Sequence, residues 1–375
     1  MSYYNKVYYY HPLDLTFKSA QTLQVIKDYC HLSKLGISVV VYGSYTNIND
    51  LLSIQQYIVN SNLKIISSKR SFFGKTTVKL AFFLDMLFST GRKIIVTRHY
   101  RKLSKVLQLK KFMSDIKVLH EMHEESFPYL FKPHIRKNKI KSLLLNEFLD
   151  CIIFTNYSQE IFFEREFGQN PKKSKVLPNG VEFEKFRHAT MSENFVLTYL
   201  GQFNQWKNVE LIFEALSLLD DRYTLRVAGG KNDKTSQEYI FNLIKKYNIN
   251  PDRVDYLGFV NNSNIVDQVL MNSHVLLLPL GDNIQSIHLT SPMKLFEYMS
   301  TKIPILAVDF PSVRLITSDK IFLSPNSGKF FSDQIRVICS TKKTDFNFRL
   351  MNDLVQKYSY KNRSNIFLKE VIDEL

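Results

Sequence analysis

Short apolar runs rich in β-branched residues alternate with stretches of helical period along the whole chain. KVYYY (6–10) precedes a helical pattern from about Ala20 to Leu35, which stops at Gly36. ISVVVYG (37–43), KIIVT (93–97), KVLH (117–120) and CIIFT (151–155) follow, with helical stretches between them. Runs that are continuously apolar, not alternating, suit parallel strands covered on both faces. A polar stretch around 187–194 interrupts the series, which then resumes. NFVLTYLG (194–201), YTLRVAGG (223–230), VDYLGFV (254–260), HVLLLPL (274–280) and IPILAVD (303–309) are predicted strands, separated by helices at about 207–219, 236–248, 264–271 and 292–301. Repeated strand–helix–strand units predict parallel sheets with right-handed crossovers. Two such sets predict an α/β chain of two Rossmann-like domains facing each other across a cleft. The domains are expected over 1–188 and 189–354, with terminal helices at about 355–375 packing back on the first.

Such sheets bind ligands beyond the carboxyl ends of their strands. No GxGxxG follows the first strand and no GxxxxGK[ST] occurs, which argues against dinucleotide oxidoreductases and P-loop NTPases. In GQFNQWKN (201–208), Lys207 opens the next helix and either neutralises a phosphate there or is simply solvated. Gly229 and Gly230 allow backbone to approach a ligand closely. Val260 ends a strand where backbone groups can meet a flat base or form an ordinary turn. The strongest local signal is SPMKLFEYM (291–299). Ser291 is a predicted N-cap, Pro292 the first helical residue, and Thr290 adds a hydroxyl. Lys294 has the wrong sign for a helix start unless a bound anion sits there. Glu297 suits a ribose diol, or else forms an i,i+3 pair with Lys294 worth roughly 0.2–0.5 kcal/mol.

Composition narrows the picture. The chain has 375 residues, 45% hydrophobic and 23% charged, with apolar runs far short of the roughly 20 residues that span a bilayer. Three widely spaced cysteines, Cys30, Cys151 and Cys339, and no signal-peptide pattern lead to the expectation of a cytoplasmic protein. The net charge of +15 is uneven: residues 1–190 carry 29 Lys+Arg against 15 Asp+Glu, and residues 191–375 carry 21 against 20. The excess concentrates in RHYRKLSKVLQLKK (98–111) and KPHIRKNKIK (132–141), where cations mix with apolar residues. That suits an anionic membrane surface; a solvated basic face is the plain alternative. A nucleic-acid partner is not expected, since no reading module accompanies the charge.

VLPNGVEFEKF (176–186), GQFNQWKNVELIFEAL (201–216), LGFV (257–260) and SPMKLFEYMSTKIPILAVDFPSVRLI (291–316) together resemble the retaining glycosyltransferases of the GT-B fold, in the large nucleotide-sugar-dependent family. The resemblance is dense over 150–316 and thin over the first 110 residues. It implies a donor, a sugar on a nucleoside diphosphate, held by the second domain, and an acceptor met by the first. By resemblance Lys207 faces the diphosphate, Glu297 the ribose, Thr290, Ser291 and Lys294 the phosphate-binding helix start, and Val260 the base. His123 in HEMHEES is similar to the family histidine near the transferred sugar, so His123, Lys207 and Glu297 are the implied catalytic set. Three positions depart from the family. Leu289 stands where a second glutamate is common, leaving His288 or backbone to meet the sugar. Gln202 replaces a frequent arginine among the donor-binding residues, and TFKSAQ (16–21) replaces a glycine-rich loop, leaving Lys18 or Ser19 to act there. No DxD pair appears, so no metal or other cofactor is expected. The implied activity is transfer, with retention, to a glycan or lipid-linked acceptor in bacterial surface polysaccharide synthesis, peripheral to the inner membrane face. A non-catalytic nucleotide-sugar-binding protein and a nucleotide-sugar epimerase of the same architecture are the alternatives.

Overall fold

The computed structural model describes residues 4–16, 19–182, 194–231, 233–260, 265–270, 272–341, 346 and 348–375. Lys18 lies outside the described residues, as do the last residues of the 176–186 segment. The chain divides into two compact units, Met1–Gly180 with Ser359–Leu375, and Val181–Tyr358.

The first unit is built on seven strands: β1 (Tyr4–Asp14), β2 (Ser38–Tyr45), β3 (Leu63–Lys69), β4 (Arg92–Thr97), β5 (Ile116–Met122), β6 (Cys151–Phe154) and β7 (Ser174–Val176). Their order is β3-β2-β1-β4-β5-β6-β7, with every recorded pairing parallel. The second unit carries β8 (Phe195–Gly201), β9 (Tyr223–Gly229), β10 (Val254–Gly258), β11 (Val275–Leu278), β12 (Ile305–Val308) and β13 (Phe322–Ser324), ordered β10-β9-β8-β11-β12-β13 and likewise parallel. Both sheets reverse direction next to their first strand, at β1/β4 and at β8/β11, and that reversal is where a doubly wound sheet opens a crevice. The central strands β6, β11 and β12 are buried at every residue, as their unbroken apolar runs require.

Three strands were not anticipated. β3 reads LKIISSK and is only half-buried, β7 is three partly exposed residues, and β13 is FLS. β3, β7 and β13 lie at sheet edges, where one neighbour suffices and no long apolar run is needed. The helix Phe348–Lys357 belongs to the second unit, and the crossover back to the first falls at Tyr358/Ser359. Helix Ala20–Ser33 starts at Ser19, whose Oγ accepts from the Thr22 amide at 3.4 Å, so this hydroxyl serves as an N-cap.

A buried arginine and the core residues Phe367, Val371 and Ile372 hold the returning segment. Arg363, in helix Tyr360–Ile366, lies 3.3 Å from Asp28 and 3.6 Å from Glu121, and its Nε donates to the Pro178 carbonyl at 2.9 Å. All three charged side chains are over nine-tenths buried, at 9%, 6% and 5% exposure. Burial pushes the Asp28 carboxyl up to about 7 against the pull of Arg363. Removing one partner of such a buried set leaves uncompensated charge, at about 3–5 kcal/mol. Arg363→Ala should therefore destabilise the first unit by about that amount. Chemical denaturation followed by circular dichroism measures it, and an unchanged midpoint would show the set to be dispensable.

Candidate functional site

In the second unit the crevice side chains come from two loops and one short helix. After β8 the chain runs through a 3-10 turn, Gln205–Lys207, and Asn208 then takes a left-handed conformation with φ 45°. The Trp206 carbonyl ties this loop down. It accepts from the Gly281 amide at 2.8 Å and from Ser286 Oγ at 2.8 Å, which joins the loop after β8 to the loop after β11. The Lys207 ammonium lies 4.0 Å from the centre of the Trp206 ring.

Helix Met293–Met299 buries Leu295, Phe296, Tyr298 and Met299. The Leu200 amide donates to Tyr298 Oη at 2.9 Å, which fixes the helix against the end of β8. The half-buried outer face then carries Lys294 and Glu297, with Lys294 Nζ donating to Glu297 Oε2 at 2.5 Å. Lys294 is thus not the unpaired cation that its position suggested. The local Lys–Glu pair forms, and Lys207 is the additional cation beside it. Burial, reinforced by Lys294 and only partly opposed by Glu297, lowers the Lys207 pKa to about 7. The Lys207 side chain as a whole keeps some exposure. Two ammonium groups facing one carboxylate form a site short of negative charge.

The helix start itself differs from the sequence expectation. Pro292, not Ser291, holds the N-cap position, with φ −68° and ψ 107°. Thr290 is extended, and its amide donates to the Gln285 carbonyl at 2.8 Å, so that N–H is not free for a ligand. A helix of seven residues also sums few peptide dipoles. The positive field at this site therefore comes mainly from the two lysines.

Other expected donor residues are spread along the same strand ends. Gln202 is exposed, and its carbonyl accepts from Tyr199 Oη at 2.7 Å. Gly229 has φ 136°, and a Cβ there would lie 1.7 Å from the Gly201 carbonyl oxygen. Its glycine is demanded by β8–β9 packing whether or not a ligand approaches. Val260 follows β10 and is half-buried. Leu289 is 3% exposed in a wide turn, Gln285–Leu289, so its side chain serves the core. His288 in that turn is partly exposed.

His123 belongs to the first unit, one residue beyond β5. Its Nε2 lies 2.6 Å from Glu121 Oε1, and its amide donates to Ser126 Oγ at 3.2 Å. Burial and the nearby Arg98 lower its pKa, with Glu121 pulling the other way. Burial alone would raise the Glu121 carboxyl, but His123, Arg363 and Arg98 outweigh it and bring it to about 2. Glu121 is therefore a carboxylate shared between His123 and Arg363. Sequence reasoning missed Trp206, Tyr298, Glu121 and Arg363. WKN and FEYM contained the first two, whereas nothing local links Arg363 to a histidine 240 positions earlier. Among the described residues no group of three or more His, Cys, Asp or Glu is placed to hold a metal ion.

Comparison with known proteins adds three findings. Residues 180–349 match the family described as glycosyl transferases group 1. The fold is similar to Anabaena Alr3699/HepE solved with UDP and glucose, at 13% identity and TM-score 0.73, covering 99% of this chain and 100% of that one. It is similar to a glycosyltransferase from Rickettsia africae ESF-5, at 14% identity and TM-score 0.75, covering 99% and 98%. It is also similar to the lipopolysaccharide outer core galactosyltransferase WaaB, at 14% identity and TM-score 0.69, covering 99% and 100%. At these identities the structures establish a GT-B fold. No curated protein sequence matches the chain.

The depressed Lys207 gives a pH test. With a pKa of about 7 in the free protein, Lys207 is largely neutral at pH 8. An anion bound beside it raises that pKa, so binding takes up a proton and affinity falls as pH rises above about 7. Calorimetric titration of a nucleoside diphosphate at pH 8, in buffers of differing ionisation enthalpy, should show net proton uptake that Lys207→Gln removes. Uptake unaltered in that variant would separate Lys207 from the anion.

Proposed function

We propose that the protein is a glycosyltransferase that transfers a sugar from a nucleoside diphosphate to a glycan or lipid-linked acceptor, with retention of anomeric configuration, a reading supported by the match of residues 180–349 to glycosyl transferases group 1. The observation that carries the reading is the Lys207–Lys294–Glu297 cluster at the β8/β11 crevice, two cations on one carboxylate. The donor's diphosphate supplies the missing negative charge, against Lys207 and Lys294. Glu297 accepts hydrogen bonds from the ribose hydroxyls, and Val260 lies along the base. UDP is the first nucleotide to try, given the HepE complex.

Transfer requires cleavage of the anomeric C–O bond, so negative charge builds on the leaving diphosphate as the sugar becomes oxocarbenium-like. Preorganised cations at that charge stabilise the transition state more than the ground state. The reaction as proposed uses no metal. The acceptor hydroxyl attacks from the face the leaving group departs, and the departing phosphate takes its proton. His123 is held by Glu121 in the first unit, and burial lowers its pKa. Turnover of a panel of nucleotide sugars, with and without glycan acceptors, tests the assignment. Lys207→Ala should lower turnover by about 10²–10³-fold with the fold intact, the scale of losing one donor to a developing oxyanion. Undiminished turnover would overturn the assignment. Nucleotide binding with no turnover on any donor would favour the non-catalytic alternative, which buried Leu289 in place of a glutamate makes specific.

A role in surface polysaccharide synthesis places the acceptor at a membrane face, and the first unit has a surface to match. No described helix is long and apolar enough to cross a membrane. Helix Phe72–Phe88, however, exposes Phe72 and Phe73 at 82% each, Phe88 at 79% and Leu87 at 66%. Lys79 on this helix and Lys105 on helix Tyr100–Lys110 crowd Lys102, whose pKa burial and these two cations lower to about 8. Not all of the basic excess is available outside: Lys110 and Lys117 both pair with Asp150. The remaining combination of exposed phenylalanines and crowded lysines fits the surface of anionic lipid. Sedimentation with phosphatidylglycerol vesicles should capture the protein. Burying one phenylalanine contributes about 1.5–3 kcal/mol, so Phe72→Ser with Phe73→Ser should weaken capture at least about 10-fold. Equal capture would show that this helix does not enter the lipid.

A further inference from the structure

The first sheet has its own reversal, at β1/β4, and polar groups that the donor chemistry does not use gather at its carboxyl edge. His11 lies in the later part of β1, Arg98 directly follows β4, and Glu125 lies three residues beyond β5. Arg98 and His11 are each only 9% exposed. Arg98 Nε and Nη1, His11 Nδ1 and Glu125 Oε2 are buried without a hydrogen-bond partner. The three residues lie within electrostatic reach of one another and of His123. An unsatisfied buried donor or acceptor costs about 1–3 kcal/mol. Donors and acceptors are thus orphaned within electrostatic reach of one another, with the buried Tyr9 hydroxyl beside Arg98. A ligand that both donates and accepts would satisfy them together.

Local charge decides the class of that ligand. Arg98 acts on two carboxylates, Glu121 and Glu125, of which Glu121 is already shared with Arg363. Glu125, beside Arg98, opposes an incoming phosphate or carboxylate. Hydroxyl groups carry no such penalty and present both an oxygen to Arg98 and a proton to Glu125. We propose that Arg98, Glu125 and His11 form an acceptor subsite that holds a neutral sugar ring through adjacent hydroxyls, Arg98 and His11 hydrogen-bonding the hydroxyl oxygens and Glu125 taking a hydroxyl proton in a hydrogen bond. Any phosphate on the acceptor then lies away from this point. The inference rests on the glycosyl-transfer reading, since an acceptor is what the first unit would have to hold.

Saturation-transfer NMR on the full chain, without nucleotide, tests it with methyl glycosides of glucose, galactose, mannose and N-acetylglucosamine. Glucuronate and inorganic phosphate serve as anionic probes, and UDP binding is measured on the same samples. At least one neutral glycoside should bind, and Arg98→Gln and Glu125→Gln should each weaken it at least tenfold while UDP affinity stays within twofold. Where Arg98→Gln fails to fold by circular dichroism, Glu125→Gln decides alone. The subsite is overturned if no neutral glycoside binds, if affinity is unchanged in folded Glu125→Gln, or if only the anions bind. Absent UDP binding in the unaltered protein would instead count against the donor site, and so keeps the two failures distinct.

Discussion

Reversal of strand order beside the first strand of each sheet is the constraint on which both sites depend. Right-handed crossovers leaving β1 and β8 carry the chain one way across the sheet, and those reaching β4 and β11 carry it the other. The loops at the reversal diverge, and side chains there can face a space that neighbouring loops do not fill. Lys207 and the 281–290 loop occupy that position in the second unit, and His11 and Arg98 occupy it in the first.

The two crevices solve opposite electrostatic problems. In the second, two lysines share one carboxylate, and an anion that enters opposes the burial and the Lys294 charge that lower the Lys207 pKa. In the first, Glu121 and Glu125 offset Arg98 and Arg363, and burial lowers the pKa values of His11 and His123. A charged pyrophosphate suits one environment and hydroxyls suit the other. The surplus positive charge of residues 1–190 therefore is not concentrated at the first crevice, and helix Tyr100–Lys110 carries part of it.

Central strands were legible because burial on both faces demands an unbroken apolar run, as in VLLL and ILAV. Edge strands such as LKIISSK and SKV meet no such demand and looked like loops. The proximity of Lys207, Lys294 and Glu297 was legible because each sits at a strand end or on one helical turn. The cap at Ser291 was misplaced by one residue, since Pro292 also fits the extended conformation of an N-cap. The Glu121 pairing with Arg363 was invisible, because no periodicity relates residues on separate elements brought together only by the return of the chain.

That return has a consequence for biosynthesis. Residues 359–375 complete the first unit but leave the ribosome after the whole of the second. Until they emerge, Asp28 and Glu121 lie in a half-built interior without their guanidinium, and Glu121 has His123 and Arg98 to answer its charge. The amino-terminal half cannot reach its final electrostatic setting before the second unit has been made. It must wait, partly assembled, for helix Tyr360–Ile366 to arrive.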